Sequence, residues 1–98
     1  MYRHGDVLIA PVGEIPAGAH ARPGATVAHG EITGHSHRFE DPAAVRLYAL
    51  AGDLFVEVLT PAARIVHEEH GPISIPNGCY RVWRQREYSP REIRTISD

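Results

Sequence analysis

Four of the seven histidines in this 98-residue chain fall in two tight pairs, His35-Ser36-His37 and His67-Glu68-Glu69-His70. On a β-strand, residues two apart point to one face about 6–7 Å apart along the chain. His35 and His37 can therefore offer two imidazoles to one ion while Ser36 faces away. Glu40, three residues after His37, would add an oxygen ligand if the chain turns at Asp41-Pro42. The second pair has i, i+3 spacing, which suits a turn of helix or a strand that ends in a bend. A straight strand would send His67 and His70 to opposite faces, so His70 joins the site only if the backbone bends at Gly71-Pro72. Three or four histidines with a carboxylate match a divalent transition metal: Zn, Fe, Mn, Ni or Cu. The expected metal ligands are His35, His37, His67, His70 and Glu40. Glu68 and Glu69 are the expected catalytic carboxylates, orienting an imidazole or acting as general base. Such a site is compatible with catalysis and with metal binding alone. A cluster of histidines that responds to pH without metal is a third reading.

Two peptidase motifs do not fit. His67-Glu68-Glu69-His70 is one residue shorter than HExxH and has no helix to carry it. Gly34-His35-Ser36-His37 is similar to the HSH of JAMM-type metallopeptidases, but Asp53 lies too far along to complete that set. The single cysteine, Cys79, has no Cys-His signature around it and reads as a small apolar residue.

The elements that must position these side chains read as strands. Hydrophobic residues make up 43% and charged residues 22%, the range of ordinary globular domains. Nine Gly and eight Pro are spread along the chain as turn punctuation. Asp6–Val12 reads as a buried strand, and residues 13–24 as loop. A second strand covers Ala25–Thr33, and the HSH segment follows Gly34. Val45–Leu50 and Leu54–Leu59 flank a hairpin signal at Ala51-Gly52-Asp53. Thr60-Pro61 is expected to stop the second of these, with Arg64–His67 resuming. Ile73–Ile75 is short, Pro76-Asn77-Gly78 is a turn, Cys79–Tyr88 is the longest extended candidate, and Glu92–Ile96 a last short strand. Only Pro42–Ala51 is ambiguous between helix and strand. Turn signals every 8–12 residues imply one all-β domain over residues 1–98, a small barrel or sandwich with little or no helix.

Composition narrows the partners. A formal net charge of −2 argues against broad nucleic-acid binding, and no apolar stretch approaches ~18 residues, so no membrane partner is expected. A cytoplasmic setting is the expectation from the lone cysteine and the N-terminal residues. The C-terminal segment interleaves Arg81, Arg84, Arg86, Arg91 and Arg94 with Tyr80, Trp83 and Tyr88. Such a segment is the basis of the alternative reading, a non-enzymatic module binding a protein partner or nucleic acid. Strand alternation puts Tyr80, Val82, Arg84 and Arg86 on one face and Arg81, Trp83, Gln85 and Glu87 on the other, which splits the aromatic and basic residues. A small-molecule substrate and a second copy of the chain, paired along exposed strand edges, are the other expected partners.

Three resemblances attach to these motifs. His35-Ser36-His37-Arg38-Phe39-Glu40 resembles the first motif of cupin barrels, HxH followed by Glu, and Pro76-Asn77-Gly78 resembles the PxG turn of the second. Arg81 stands where that second motif carries its histidine. The cupin likeness thus implies His35, His37 and Glu40 as ligands and a metal-binding barrel. A fuller likeness is to small uncharacterised bacterial and phage proteins. Their GE-TGH-H-R, HEEH, P-G-Y and QREY-P segments correspond to residues 30–38, 67–70, 76–80 and 85–90. Gly5-Asp6-Val7-Leu8-Ile9 is similar to the first strand of GroES-type barrels, which implies fold class alone.

Overall fold

The computed structural model describes residues 1–30 and 34–85. Eight strands form in chain order: β1 Tyr2–His4, β2 Val7–Val12, β3 His20–Arg22, β4 Thr26–His29, β5 Ser36–Phe39, β6 Val45–Leu50, β7 Asp53–Val66 and β8 Ile73–Arg84. All pairings are antiparallel within one sheet. The domain is all-β, as the turn spacing implies. Among the described residues a 3₁₀ turn forms at Pro42–Ala44, where the Asp41 carboxylate accepts from the Ala43 N–H at 3.0 Å. This resolves the ambiguous stretch: Pro42-Ala43-Ala44 turns, and the β-branched run from Val45 extends.

The sheet runs β1-β2-β8-β7-β5-β4, with β6 and β3 branching from β7. β7 is long enough to take two neighbours on one edge, β6 along residues 53–58 and β5 at residues 65–66. The inward faces meet in one core that includes Ile9, Phe39, Leu47, Val56, Ile65 and Ile75. The sheet curls until its ends approach each other: the Arg84 guanidinium on β8 donates to the His29 carbonyl on β4 at 2.6 Å, and His4 on β1 meets His37 on β5. Among the described residues no ladder joins β1 to β4 or β5, so the sheet is barrel-like without closing into a barrel.

Three expectations about the elements change. Thr60-Pro61 does not stop a strand, and Pro76-Asn77-Gly78 is not a turn. β7 and β8 run through both as paired strands of 14 and 12 residues. Val58 pairs with Gly78 and Ala62 with Pro76, so Leu59, Thr60 and Pro61 oppose Asn77 alone. This bulge places Pro61 where no ladder N–H is required. Its loose ends are tied by the Asn77 amide donating to the Val58 carbonyl at 2.8 Å and the Tyr80 hydroxyl donating to the Pro76 carbonyl at 2.7 Å. Within residues 13–24, His20–Arg22 forms β3 on the outer edge of β6, fully exposed and held by backbone pairing rather than burial. The end of the second expected strand, Glu31–Thr33, lies outside the described residues, as do the end of Cys79–Tyr88 and all of Glu92–Ile96.

The β6–β7 hairpin closes on Ala51 and Gly52, with φ of 51° and 86°, and Leu50 pairs with Asp53. Two positive φ values define the mirror-image turn that favours Asn-Gly, and alanine is strained at the first position. Ala51 is exposed. Ala51→Asn is expected to raise Tm by roughly 2–6 °C, from a gain of about 0.5–1 kcal/mol. Ala51→Val should lower it. An unchanged or lower Tm for the asparagine variant would contradict this turn assignment.

Candidate metal centre

Strand alternation decides which residues of the HSH segment can share a site. On β5, His37 and Phe39 are buried, while Ser36 and Arg38 are half-exposed on the opposite face. His35, two residues before His37, is half-buried, its ring 5.6 Å from that of His67. Glu40 follows the other parity, with Ser36 and Arg38. Its carboxylate pairs with the Arg64 guanidinium at 3.1 Å, and its N–H donates to the Arg64 carbonyl at 2.8 Å. Glu40 is therefore absent from the histidine cluster, and the period of two that pairs His35 with His37 is the reason.

The second pair is brought together by a bend one step earlier than expected, over Glu68–His70 rather than at Gly71-Pro72. Two side chains set it. The His67 Nδ1 accepts from the Glu69 N–H at 2.9 Å, closing the chain back on itself just past β7. The Glu68 carboxylate accepts from the Ser36 N–H at 2.9 Å and from the Arg38 guanidinium at 2.8 Å, clamping the bend to β5. The Ser36 N–H foremost, with the Glu68 N–H and Arg38, pushes the Glu68 pKa down to about 2. Both Glu68 carboxylate oxygens are thus engaged in holding the bend against β5. Glu69 lies 3.7 Å from the His35 Nδ1 and stays exposed.

Three imidazoles result in one place. Ligand nitrogens of His37, His67 and His70 all lie within 4.8 Å of one another, and His35, His67 and Glu68 form a second group meeting the same limit. The rings of His37 and His67 are 4.3 Å apart, and those of His67 and His70 4.8 Å. These His/Glu groups are positioned to bind a metal ion. An ion bonded at about 2.0–2.1 Å needs its ligands within about 3–4 Å of each other, so loading would draw the rings together by up to about an ångström. Gly5 makes room for this packing. Its φ is +63°, and a Cβ there would lie 2.7 Å from the His70 Nε2 and 3.0 Å from the His37 Cε1.

Sequence reasoning missed two neighbours of this cluster. His4, at the end of β1, is 2% exposed. Its Nδ1 is 2.9 Å from the His37 Nδ1, and its Nε2 is 3.0 Å from the Gly71 carbonyl. Asp6 in the next turn places Oδ1 3.5 Å from the His37 Nε2, and Oδ2 3.4 Å from the Arg84 Nε. Nothing in the spacing of His4 or Asp6 ties them to residues 35–37. Only the curl of the sheet does so.

The arginine and aromatic residues of the C-terminal segment split as alternation requires. Tyr80 and Val82 are buried, and Tyr80 is therefore closed to base stacking. Arg81 lies over the Trp83 ring at 5.0 Å and pairs with Asp53 at 3.2 Å. Arg84 reaches Asp6 and His29. Arg86, Glu87, Tyr88, Arg91 and Arg94 lie outside the described residues. Among the described residues no helix is long and apolar enough to cross a membrane.

Burial makes the inner histidines poor bases. It pushes the His37 pKa down from 6.5 to about 4, with His67 and His4 adding to the effect and Asp6 opposing it. Burial lowers that of His4 too, against the Gly71 carbonyl. The unfolded chain takes up these protons near pH 6.5 and the folded chain does not, so the unfolded state binds more protons as pH falls. Metal-free protein should be fully stable above about pH 7 and lose up to about 1.4 kcal/mol per pH unit through His37 as pH drops from 6.5 toward 5, with His4 acting in the same direction. Urea midpoints across that window measure this, and a flat midpoint from pH 7.5 to 5 would contradict it.

Comparison with curated proteins and with solved structures finds no match to this chain. A family model, a domain of unknown function (DUF8820), matches residues 3–85. That span takes in all eight described strands except Tyr2, the whole histidine cluster, and both His4 and Asp6. The chain belongs to the DUF8820 family.

Proposed function

We propose that this protein is a metal-binding domain holding one divalent transition ion through His37, His67 and His70. The observation that carries this reading is the convergence of three imidazoles from β5 and the bend after β7. The inner trio is preferred over His35, His67 and Glu68 because the Glu68 carboxylate already accepts two hydrogen bonds that hold the bend. Three neutral imidazoles without a thiolate suit Zn²⁺, and also the other borderline ions Fe²⁺, Ni²⁺ and Cu²⁺, better than the harder Mn²⁺. Three protein ligands leave a position for water or a small-molecule substrate, the pattern of catalytic rather than structural sites. A water bound there is acidified toward neutral pH. Of the two acidic residues in the bend, Glu69 is the one not committed to holding β5, so it is the carboxylate assigned to proton transfer.

Zinc added to tag-free protein should bind one ion per chain by calorimetry. His70→Ala, at an exposed ligand whose loss spares the core, should weaken binding by more than the roughly 10–100-fold that outer partners of a metal site cost. His20→Ala, on the outer strand β3, should leave it unchanged. Equal affinity in wild type and His70→Ala would remove His70 from the site, and no binding in wild type would sink the proposal.

Ligation by His67 also has a chemical consequence in the backbone. Its Nδ1 now accepts the Glu69 N–H. An ion on Nδ1 takes that lone pair, and an ion on Nε2 leaves a proton on Nδ1, so either mode breaks this bond. The Glu69 amide resonance should therefore shift strongly on zinc addition and its hydrogen exchange should quicken. A Glu69 amide that stays in place at saturating zinc would exclude His67 as a ligand.

A further inference from the structure

We propose that His4 is a positioning residue of the metal centre: a hydrogen-bond relay from the Gly71 carbonyl through His4 fixes the proton of His37 on Nδ1 and so leaves Nε2 as its metal-binding nitrogen. The inference rests on the metal reading for its purpose, though not for its chemistry.

The relay follows from what each atom can do. The Gly71 carbonyl only accepts, so the His4 Nε2, 3.0 Å away, carries a proton and donates it. A neutral imidazole has one N–H, so the His4 Nδ1 is then an acceptor. The His37 Nδ1 stands 2.9 Å from it, and two facing lone pairs would repel, so the His37 Nδ1 carries the proton and donates to His4. The His37 Nε2 is left with a lone pair. The opposite assignment needs protons on both nitrogens of His4. That would bury a cation at 2% exposure with the rings of His37, His67 and His70 at 5.0, 6.4 and 5.9 Å.

The Asp6 carboxylate oxygen lies 3.5 Å from the His37 Nε2, beyond a normal N–H···O bond, so the tautomer is set by the 2.9 and 3.0 Å contacts of His4. The relay also joins the three parts of the site: β1 supplies His4, β5 supplies His37, and the segment after His70 supplies the carbonyl. Histidines that bind metals are commonly oriented in this way through their second nitrogen, and an imidazole acceptor is an uncommon partner for that role.

Two variants separate positioning from structural support. Asparagine at position 4 presents its Oδ1 near the site of the His4 Nδ1, whereas phenylalanine presents no acceptor. Both lose the bond to the Gly71 carbonyl, so their difference isolates the acceptor facing His37. Long-range ¹H–¹⁵N spectra of the metal-free protein above pH 7 should show His4 protonated at Nε2 and His37 at Nδ1. Zinc affinity by chelator competition should fall about 10–100-fold in His4→Phe and return to within a few-fold of wild type in His4→Asn. A wild-type His37 protonated at Nε2 would overturn the relay, as would full zinc affinity in folded His4→Phe. If wild type binds no zinc, the metal reading fails, and the tautomer spectrum still decides the relay. Should His4→Phe not fold, the spectrum and the His4→Asn affinity decide it.

Discussion

The contact on which this structure turns is between two buried imidazoles, His4 and His37, at the seam where the curled sheet meets itself. Polar rings inside a protein cost free energy unless each nitrogen finds a partner. Here the Gly71 carbonyl partners the His4 Nε2 and the two facing Nδ1 atoms partner each other, while the His37 Nε2 faces Asp6 at 3.5 Å. Backbone ladders hold the rest of the sheet. Across this seam side chains take over, and the partners come from β1, β5 and the segment after β7. Shape and chemistry are thus set at one place: the geometry that brings the ends of the sheet together also brings the histidines together.

The remaining interactions make that seam specific. Glu68 ties the bend to β5 through the Ser36 N–H and Arg38, and the Glu69 N–H folds the bend back onto His67. Gly5 supplies a positive φ and an absent side chain where His70 and His37 pass. Behind them, Ile65, Phe39 and Ile75 are almost wholly buried, giving β5 and the end of β7 a rigid backing. Of the three clustered imidazoles, His37 sits on a strand over this packed core, and His67 and His70 belong to the bend after β7. His70, exposed on the bend, is the least buried of the three clustered imidazoles.

Much of this was legible in the sequence, because local rules governed it. The period of two along β5 puts His35 and His37 on one side, and the turn residues mark an all-β chain with its hairpin at Ala51-Gly52. The same period places Glu40 with Ser36 and Arg38, away from the cluster, so its distance from the site follows from a rule already in use. Pro61 and Pro76 read as breaks because a proline has no ladder N–H, yet a bulge opposite Asn77 lets both strands continue. That compensation depends on the facing strand and is not written at either proline. His4 and Asp6 were illegible for a similar reason. They stand far along the chain from their partners, His4 33 residues from His37 and 67 from Gly71, and the topology β1-β2-β8-β7-β5 is what carries them across. Membership of the DUF8820 family brings no assigned activity, so the functional reading stands on the side chains themselves.

The central claim is that these imidazoles surround a metal. X-ray absorption at the zinc edge of tag-free protein loaded with one equivalent tests it most directly. The account predicts a first shell of nitrogen and oxygen at about 2.0–2.1 Å with the multiple-scattering signature of about three imidazoles. An all-oxygen shell without imidazole scattering, or no retained zinc, would contradict it.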